Sequence, residues 1–238
     1  MELILYLSYG YPTIEASEEM ASRYVDAGCD IIEVDLPAKN PYLESDYIKE
    51  RMHQALNNND NYDDYMAGII RIKEAHPNTK FILLAYEETV QEIGEDKFIK
   101  FCKDNEILDL IYVGFKTDTL KNKLIEHGLR VSCYIQHHLP SEEVKSALHS
   151  NGFVYLQAKP ANNRICPKYP TLATILKHLN TLITDRPIYT GVGISTEEDV
   201  AYAKESGADA VFVGSTILKL HSDPMAMKEK IKSFKANC

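Results

Sequence analysis

A chain of 238 residues, 45% of them hydrophobic, has material for one large core and matches the usual length of a single eight-fold β/α barrel. Its 26 basic side chains against 35 acidic ones leave a formal charge of −9, which argues against a nucleic-acid binder, because phosphate backbones require clustered Lys and Arg. No run approaches the roughly 20 apolar residues that span a bilayer, and Met1-Glu2-Leu3 carries no basic leader region, so the expectation is a cytoplasmic protein away from membranes.

In chain order, the first strand is read over Glu2–Ser8, and a helix over Ile14–Ala27, where Met20, Ala21, Tyr24 and Val25 recur at spacings of three and four. A second strand follows at Asp30–Leu36, then a long polar connection over Pro37–Tyr47 and helices near Ile48–Leu56 and Asp63–His76. Strands at Phe81–Ala85, Asp109–Val113, Arg130–Ile135, Val154–Gln157, Pro187–Thr190 and Ala210–Val213 complete the set. Each is short and mostly apolar, as parallel strands buried on both faces are. Helical patterns at Lys116–His127, Ser141–Ser150, Thr171–Leu182, Thr196–Ser206 and Pro224–Lys235 fill the later intervals. Ser141 and Thr196 precede acidic first turns and are read as N-caps, while Gly28, Gly128 and Gly207 close helices just before strands. Alternation of this kind over residues 1–238 predicts an α/β fold, a (β/α)8 TIM barrel in one domain, with a doubly wound open sheet as the competitor.

The sharpest local pattern is Gly191-Val192-Gly193-Ile194-Ser195, between the seventh strand and its helix. Glycines at alternate positions let backbone amides approach an anion closely. Gly214-Ser215-Thr216, after the eighth strand, opens the next helix, whose N-terminal amides favour negative charge. Loops seven and eight are where barrels of this class bind phosphate, so a small phosphorylated substrate is expected. Glu33 interrupts the apolar run Ile31-Ile32-Glu33-Val34-Asp35-Leu36, where a charge is costly unless paired or functional. It reads as a buried general acid/base, or else as a structural acid paired inside the barrel. Alternation puts Asp35 on the same face. Glu44 and Asp46 lie in the long second loop, in position either to fold over the site or to face solvent. Tyr6, Tyr86 and Tyr155 fall at strand ends, where each alone is a core residue as readily as a site residue. The cysteines Cys29, Cys102, Cys133, Cys166 and Cys238 have no C-x-x-C spacing, and His137-His138 reads as a solvated loop, so no metal site is expected.

Taken in order, these pieces resemble the tryptophan synthase alpha subunit family over nearly the whole chain. The resemblance is carried by Leu5-Tyr6-Leu7-Ser8-Tyr9-Gly10-Tyr11-Pro12-Thr13, by residues 27–41 around Glu33, by Leu84-Ala85-Tyr86, by Gly152-Phe153-Val154-Tyr155-Leu156, and by the two glycine motifs. It implies a lyase that splits indole-3-glycerol phosphate into indole and glyceraldehyde 3-phosphate, without metal or organic cofactor. It implies Glu33 as acid/base, Tyr155 beside the reacting side chain, Gly191, Gly193, Gly214 and Ser215 around the phosphate, and Tyr6 and Tyr86 lining the indole pocket. The family's second carboxylate, followed there by Gly-Pro, is replaced by Glu44 in Leu43-Glu44-Ser45-Asp46. Its Gly/Thr-rich closing loop reads Lys159-Pro160-Ala161-Asn162-Asn163-Arg164, with Arg164 opposite a phosphate-binding glycine. Tyr11 stands where the entrance aspartate would, and Asn40-Pro41 replaces an interface aspartate, which bears on partnership with a tryptophan synthase beta subunit. A phosphate-binding homologue with another substrate, or a non-catalytic partner of a beta-type subunit, are the alternative readings.

Overall fold

In the computed structural model, which describes residues 1–114 and 118–238, the eight apolar runs pair edge to edge, all parallel, into a closed barrel in the order β1 to β8. They are β1 (Glu2–Leu7), β2 (Ile31–Asp35), β3 (Lys80–Tyr86), β4 (Asp109–Val113), β5 (Arg130–Ile135), β6 (Val154–Gln157), β7 (Ile188–Gly191) and β8 (Ala210–Val213). Closure comes from β1 on β8, with Glu2 opposite Ala210 and Leu5 opposite Val213, and it leaves no exposed sheet edge.

The strands are apolar throughout because both faces are buried. Leu3, Leu5, Leu7, Ile32, Val34, Leu83 and Val211 face outward into the main core against the helices. Ile4, Ile31, Ile82, Leu84, Ile111, Phe153 and Phe212 face inward and form a second cluster inside the barrel. Period-two alternation therefore also turns Tyr6, Glu33, Asp35, Tyr86 and Tyr155 inward.

The helices are α1 (Ile14–Asp26), α2 (Asp46–Asn58), α3 (Tyr62–Ala75), α4 (Glu87–Ile93), α5 (Glu95–Asp104), α6 (Thr119–Glu126), α7 (Ser141–Leu148), α8 (Leu172–Leu182), α9 (Glu197–Glu205), α10 (Ser215–Leu218) and α11 (Pro224–Asn237). Thr13 caps α1 by accepting from the Ala16 amide, and Thr171 and Thr196 form reciprocal capping boxes. Ser141 is not a cap: Pro140 holds that position and Ser141 is already helical. The sequence reading also placed no helix between β3 and β4, where Gly94 separates α4 from α5. The start of the predicted Lys116–His127 helix lies outside the described residues. His137 is buried rather than solvated; its amide donates to the Gln157 side chain at 3.0 Å.

One contact between a loop and a helix matters for the site. Tyr9, in the loop after β1, packs edge-on to Tyr65 of α3 and its hydroxyl donates to the Tyr65 carbonyl at 3.2 Å. Gly68 makes this possible, since a Cβ there would stand 2.1 Å from the Tyr9 hydroxyl. A helix-interior glycine costs about 1 kcal/mol relative to alanine, which here is offset by docking the loop that supplies the Tyr9 amide to the site.

Candidate active site

Three carboxyl groups converge at the C-terminal mouth of the barrel, the end at which barrel enzymes build their sites. Glu33 on β2 is buried, opposite Tyr6 of β1 and Ile82 of β3 in the strand register. Among the described residues no hydrogen bond or ion pair reaches its carboxyl, so the interior ion pair allowed by the sequence does not form. Burial, followed by the nearby Glu44 and Asp35, pushes its pKa well above the ordinary glutamate range.

Asp35, two residues on, is fully buried and firmly held. Its Oδ2 accepts from the Tyr6 hydroxyl and its Oδ1 from the Tyr9 amide. Burial lifts its pKa to about 7, with the Tyr6 and Tyr9 hydrogen bonds opposing the rise. Glu44, from the loop after β2, folds inward and accepts from the Tyr86 hydroxyl at 3.0 Å; burial raises its pKa, against the pull of Tyr86 and Lys49. Asp46 is the first residue of α2 with a fully exposed side chain, so of the two loop acids only Glu44 folds inward.

The remaining walls are aromatic. Tyr155 stacks on Phe212 with centroids 4.3 Å apart and meets Tyr134 edge-on at 5.3 Å, while Phe153 stacks on Tyr189. The Tyr155 phenol is pushed up by burial and then by the neighbouring Glu33. Gly191 fixes the place of that ring: a Cβ would lie 2.7 Å from both its hydroxyl and its Cε2.

Beyond Gly191 the chain turns through Val192 (φ 60°) and Gly193 (φ 97°), the left-handed region that favours glycine. The amides of Ser195 and Thr196 and the Ser195 hydroxyl, which the sequence offered to an anion, are taken by Asp199 Oδ2 at 2.9, 3.1 and 3.2 Å. Lys159 pairs with Asp199 Oδ1 at 2.6 Å, and its stem lies against Gly193. Among the described residues the amides of Gly193, Ser215 and Thr216 have no internal acceptor. These last two open α10 directly after Gly214, whose Cβ position is 3.7 Å from Tyr6 Cβ. The two glycine turns and Tyr6 therefore share one corner of the mouth. Arg164 is exposed in the loop after β6. Asp35 and the Lys159–Asp199 pair are the site groups the sequence reading undervalued. Strand alternation was the available signal for Asp35; nothing in sequence spacing joins Lys159 to Asp199. No group of His, Cys, Asp and Glu among the described residues could hold a metal ion, and no described helix is long and apolar enough to cross a membrane.

The tryptophan synthase alpha chain family model matches residues 1–238. The tryptophan synthase alpha chain of Microcystis aeruginosa is 26% identical over 241 residues, covering 99% of this chain and 90% of that protein. The Synechocystis alpha chain is 29% identical over 224 residues, covering 91% of this chain and 83% of that one. Among solved structures, tryptophan synthase from Mycobacterium tuberculosis in its aminoacrylate-bound form shares the fold with a TM-score of 0.83 at 24% identity, over 99% of this chain and 92% of that one. The alpha subunit from Legionella pneumophila gives 0.82 at 23%, with the same coverage. With a match that runs from the first residue to the last, this chain belongs to the tryptophan synthase alpha chain family.

Proposed function

We propose that this chain is a lyase that cleaves indole-3-glycerol phosphate by a retro-aldol step, releasing indole and glyceraldehyde 3-phosphate. The reaction needs an acid to protonate the indole carbon bearing the side chain and a base to take the proton of the adjacent hydroxyl. The C–C bond then breaks as the carbonyl forms. Membership of the family supports a lyase role in general; the observation that carries the specific reading is Glu33, a carboxyl buried at the barrel mouth with no hydrogen-bond or ion-pair partner among the described residues, its pKa pushed upward by burial.

In this reading Glu33 is the acid/base: it gives its proton to the ring carbon and, as the carboxylate so formed, takes the proton of the side-chain hydroxyl as the C–C bond breaks, with Tyr155 lying against the reacting side chain. Glu44 takes the indole N–H, its carboxylate already oriented by Tyr86 at 3.0 Å. Tyr6 and Tyr86 line the ring pocket. Gly191 shapes the corner, and the amides of Gly193 and Ser215, with Gly214 giving close approach, hold the phosphate. No cofactor enters the scheme. A tryptophan synthase beta-type subunit is the proposed macromolecular partner.

The test is indole release from indole-3-glycerol phosphate by the purified chain, alone and with a beta subunit. Turnover lost in Glu33→Gln while phosphate ligands still bind supports the assignment, with a rate loss of about 10²-fold or more for removal of a general acid. Activity that survives Glu33→Gln removes Glu33 from the chemistry. Absence of turnover with and without the beta subunit, with phosphate binding intact, favours a different phosphorylated substrate.

A further inference from the structure

A second cleft, of about 450 Å³, opens beside the barrel mouth between α1, α2 and the segment after α10, with Tyr11, Arg23, Tyr47, Arg51, Lys219 and His221 in its walls. Three cations stand there against one carboxylate, Glu19, which is already paired with Arg23 at 2.5 Å. In a chain of net charge −9 this is a local reversal of sign.

Arg51 is the unusual member. It is 6% exposed, yet among the described residues no carboxylate comes within ion-pairing distance of it and its Nε has no partner at all. Its other contacts are long: Nη1 to the Tyr47 hydroxyl at 3.5 Å and Nη2 to His221 Nδ1 at 3.4 Å. Tyr11 lies against the guanidinium with its centroid 3.9 Å away. Because Arg can only donate, His221 Nδ1 must be the acceptor, and Nε2–H then points to the Tyr24 hydroxyl at 2.6 Å. His221 is neutral, its pKa lowered to about 4 by burial and by Arg51 and Arg23. The Asp35 carboxyl feels the Arg51 charge, but it lies beyond ion-pairing distance and is held by Tyr6 and Tyr9, so Arg51 lacks a direct counter-ion, which is unfavourable for a buried cation.

We propose that the Arg51 cleft is a second anion site, separate from the glycine corner, that takes the phosphate or carboxylate group of a small metabolite. The planar guanidinium supplies paired donors for an oxyanion, Tyr11 holds it flat, and Lys219, which has no ion pair among the described residues, adds a second positive group. The two anion sites lie at opposite ends of α10: Gly214 and Ser215 begin it, and Lys219 and His221 follow it. Tyr24 extends the link by donating to the Tyr6 carbonyl at 3.2 Å, so an anion on Arg51 bears on the strand that carries Tyr6.

Titration calorimetry of the full chain with inorganic phosphate, and separately with malonate, tests this. The native chain is expected to show an anion-binding event that Arg51→Gln weakens by about 10-fold or more, the loss of a charge-assisted contact, while a Gly193→Val chain retains it. Tyr11→Asp places a carboxylate beside the guanidinium and should block the same event without burying a new unpaired group. It thereby separates loss of the site from loss of the fold. Phosphate affected by these variants and malonate not, or the reverse, identifies which oxyanion the cleft prefers. Binding of both anions unchanged in Arg51→Gln and Tyr11→Asp, or no event beyond the one that Gly193→Val removes, overturns the proposal.

Discussion

Asp35→Asn is the substitution whose effect can be worked furthest from the structure. The carboxyl is wholly buried, and its pKa rises from an ordinary 3.8 to about 7 on folding. A rise of about three in pKa corresponds to about 4 kcal/mol of differential stability between the protonated and ionised forms. Because the folded state holds the proton more tightly, this stability is fully present below about pH 4 and is lost as the pH climbs through about 7. Asparagine is neutral throughout and can still accept from the Tyr9 amide while donating to the Tyr6 hydroxyl oxygen. Urea unfolding at pH 4.5 and 8.5 should therefore show the variant gaining on the native chain by about 3–4 kcal/mol between the two pH values. Glu33 loses a like-charged neighbour in the variant, and that works in the same direction. Parallel pH dependences in the two proteins would refute the reasoning, because they would mean that Asp35 titrates alike in the folded and unfolded chains.

Gly191→Ala should destabilise the barrel by about 1–3 kcal/mol through overpacking, since the new methyl would stand 2.7 Å from the Tyr155 ring; thermal unfolding checks the first, and a fall in indole release checks the displacement of Tyr155. Gly193→Val forces a branched side chain onto φ 97° and into the Lys159 stem, so phosphate-ligand affinity should fall, read by calorimetry, while Glu33→Gln leaves it nearly unchanged. Tyr86→Phe removes the hydroxyl that orients Glu44 and should cost about 1–3 kcal/mol; a double-mutant cycle with Glu44→Gln should show most of that cost to be shared.

The barrel was legible because its strands have two buried faces, which leaves short unbroken apolar runs that few other elements produce. Boundaries agreed to within about a residue at β1, which ends at Leu7 rather than Ser8, and at β7, which takes in Gly191. The interval from Glu87 to Asp104 was not legible, because its charged first turns mask two short amphipathic helices joined at Gly94. In the site, Glu33 announced itself as a charge within an apolar strand. The inward fold of Glu44 did not, since it depends on Tyr86, 42 residues away. Arg51 was silent for a related reason: its place in α2 looks like that of a surface arginine, and only the packing of Tyr11, Tyr47 and His221 around it takes it out of water.

The same burial that makes three carboxyls expensive also sorts them. Glu33, buried among apolar and aromatic walls and without a donor to stabilise its anion among the described residues, has its pKa pushed up by burial, which in the proposed reading suits proton donation. Asp35 receives two donors, which pull its pKa back to about 7 and make it the anchor for Tyr6 and the Tyr9 loop. Glu44 is only half-buried, and although burial raises its pKa, the Tyr86 hydroxyl and Lys49 both favour its anion, so in the proposed reading it is the carboxyl placed to act as one. An acid and an anion set apart by environment rather than by residue type are what a retro-aldol cleavage requires. If Glu44 replaces the family's second acid, as proposed, the longer side chain must be held in place, and the Tyr86 hydroxyl is the group that holds it.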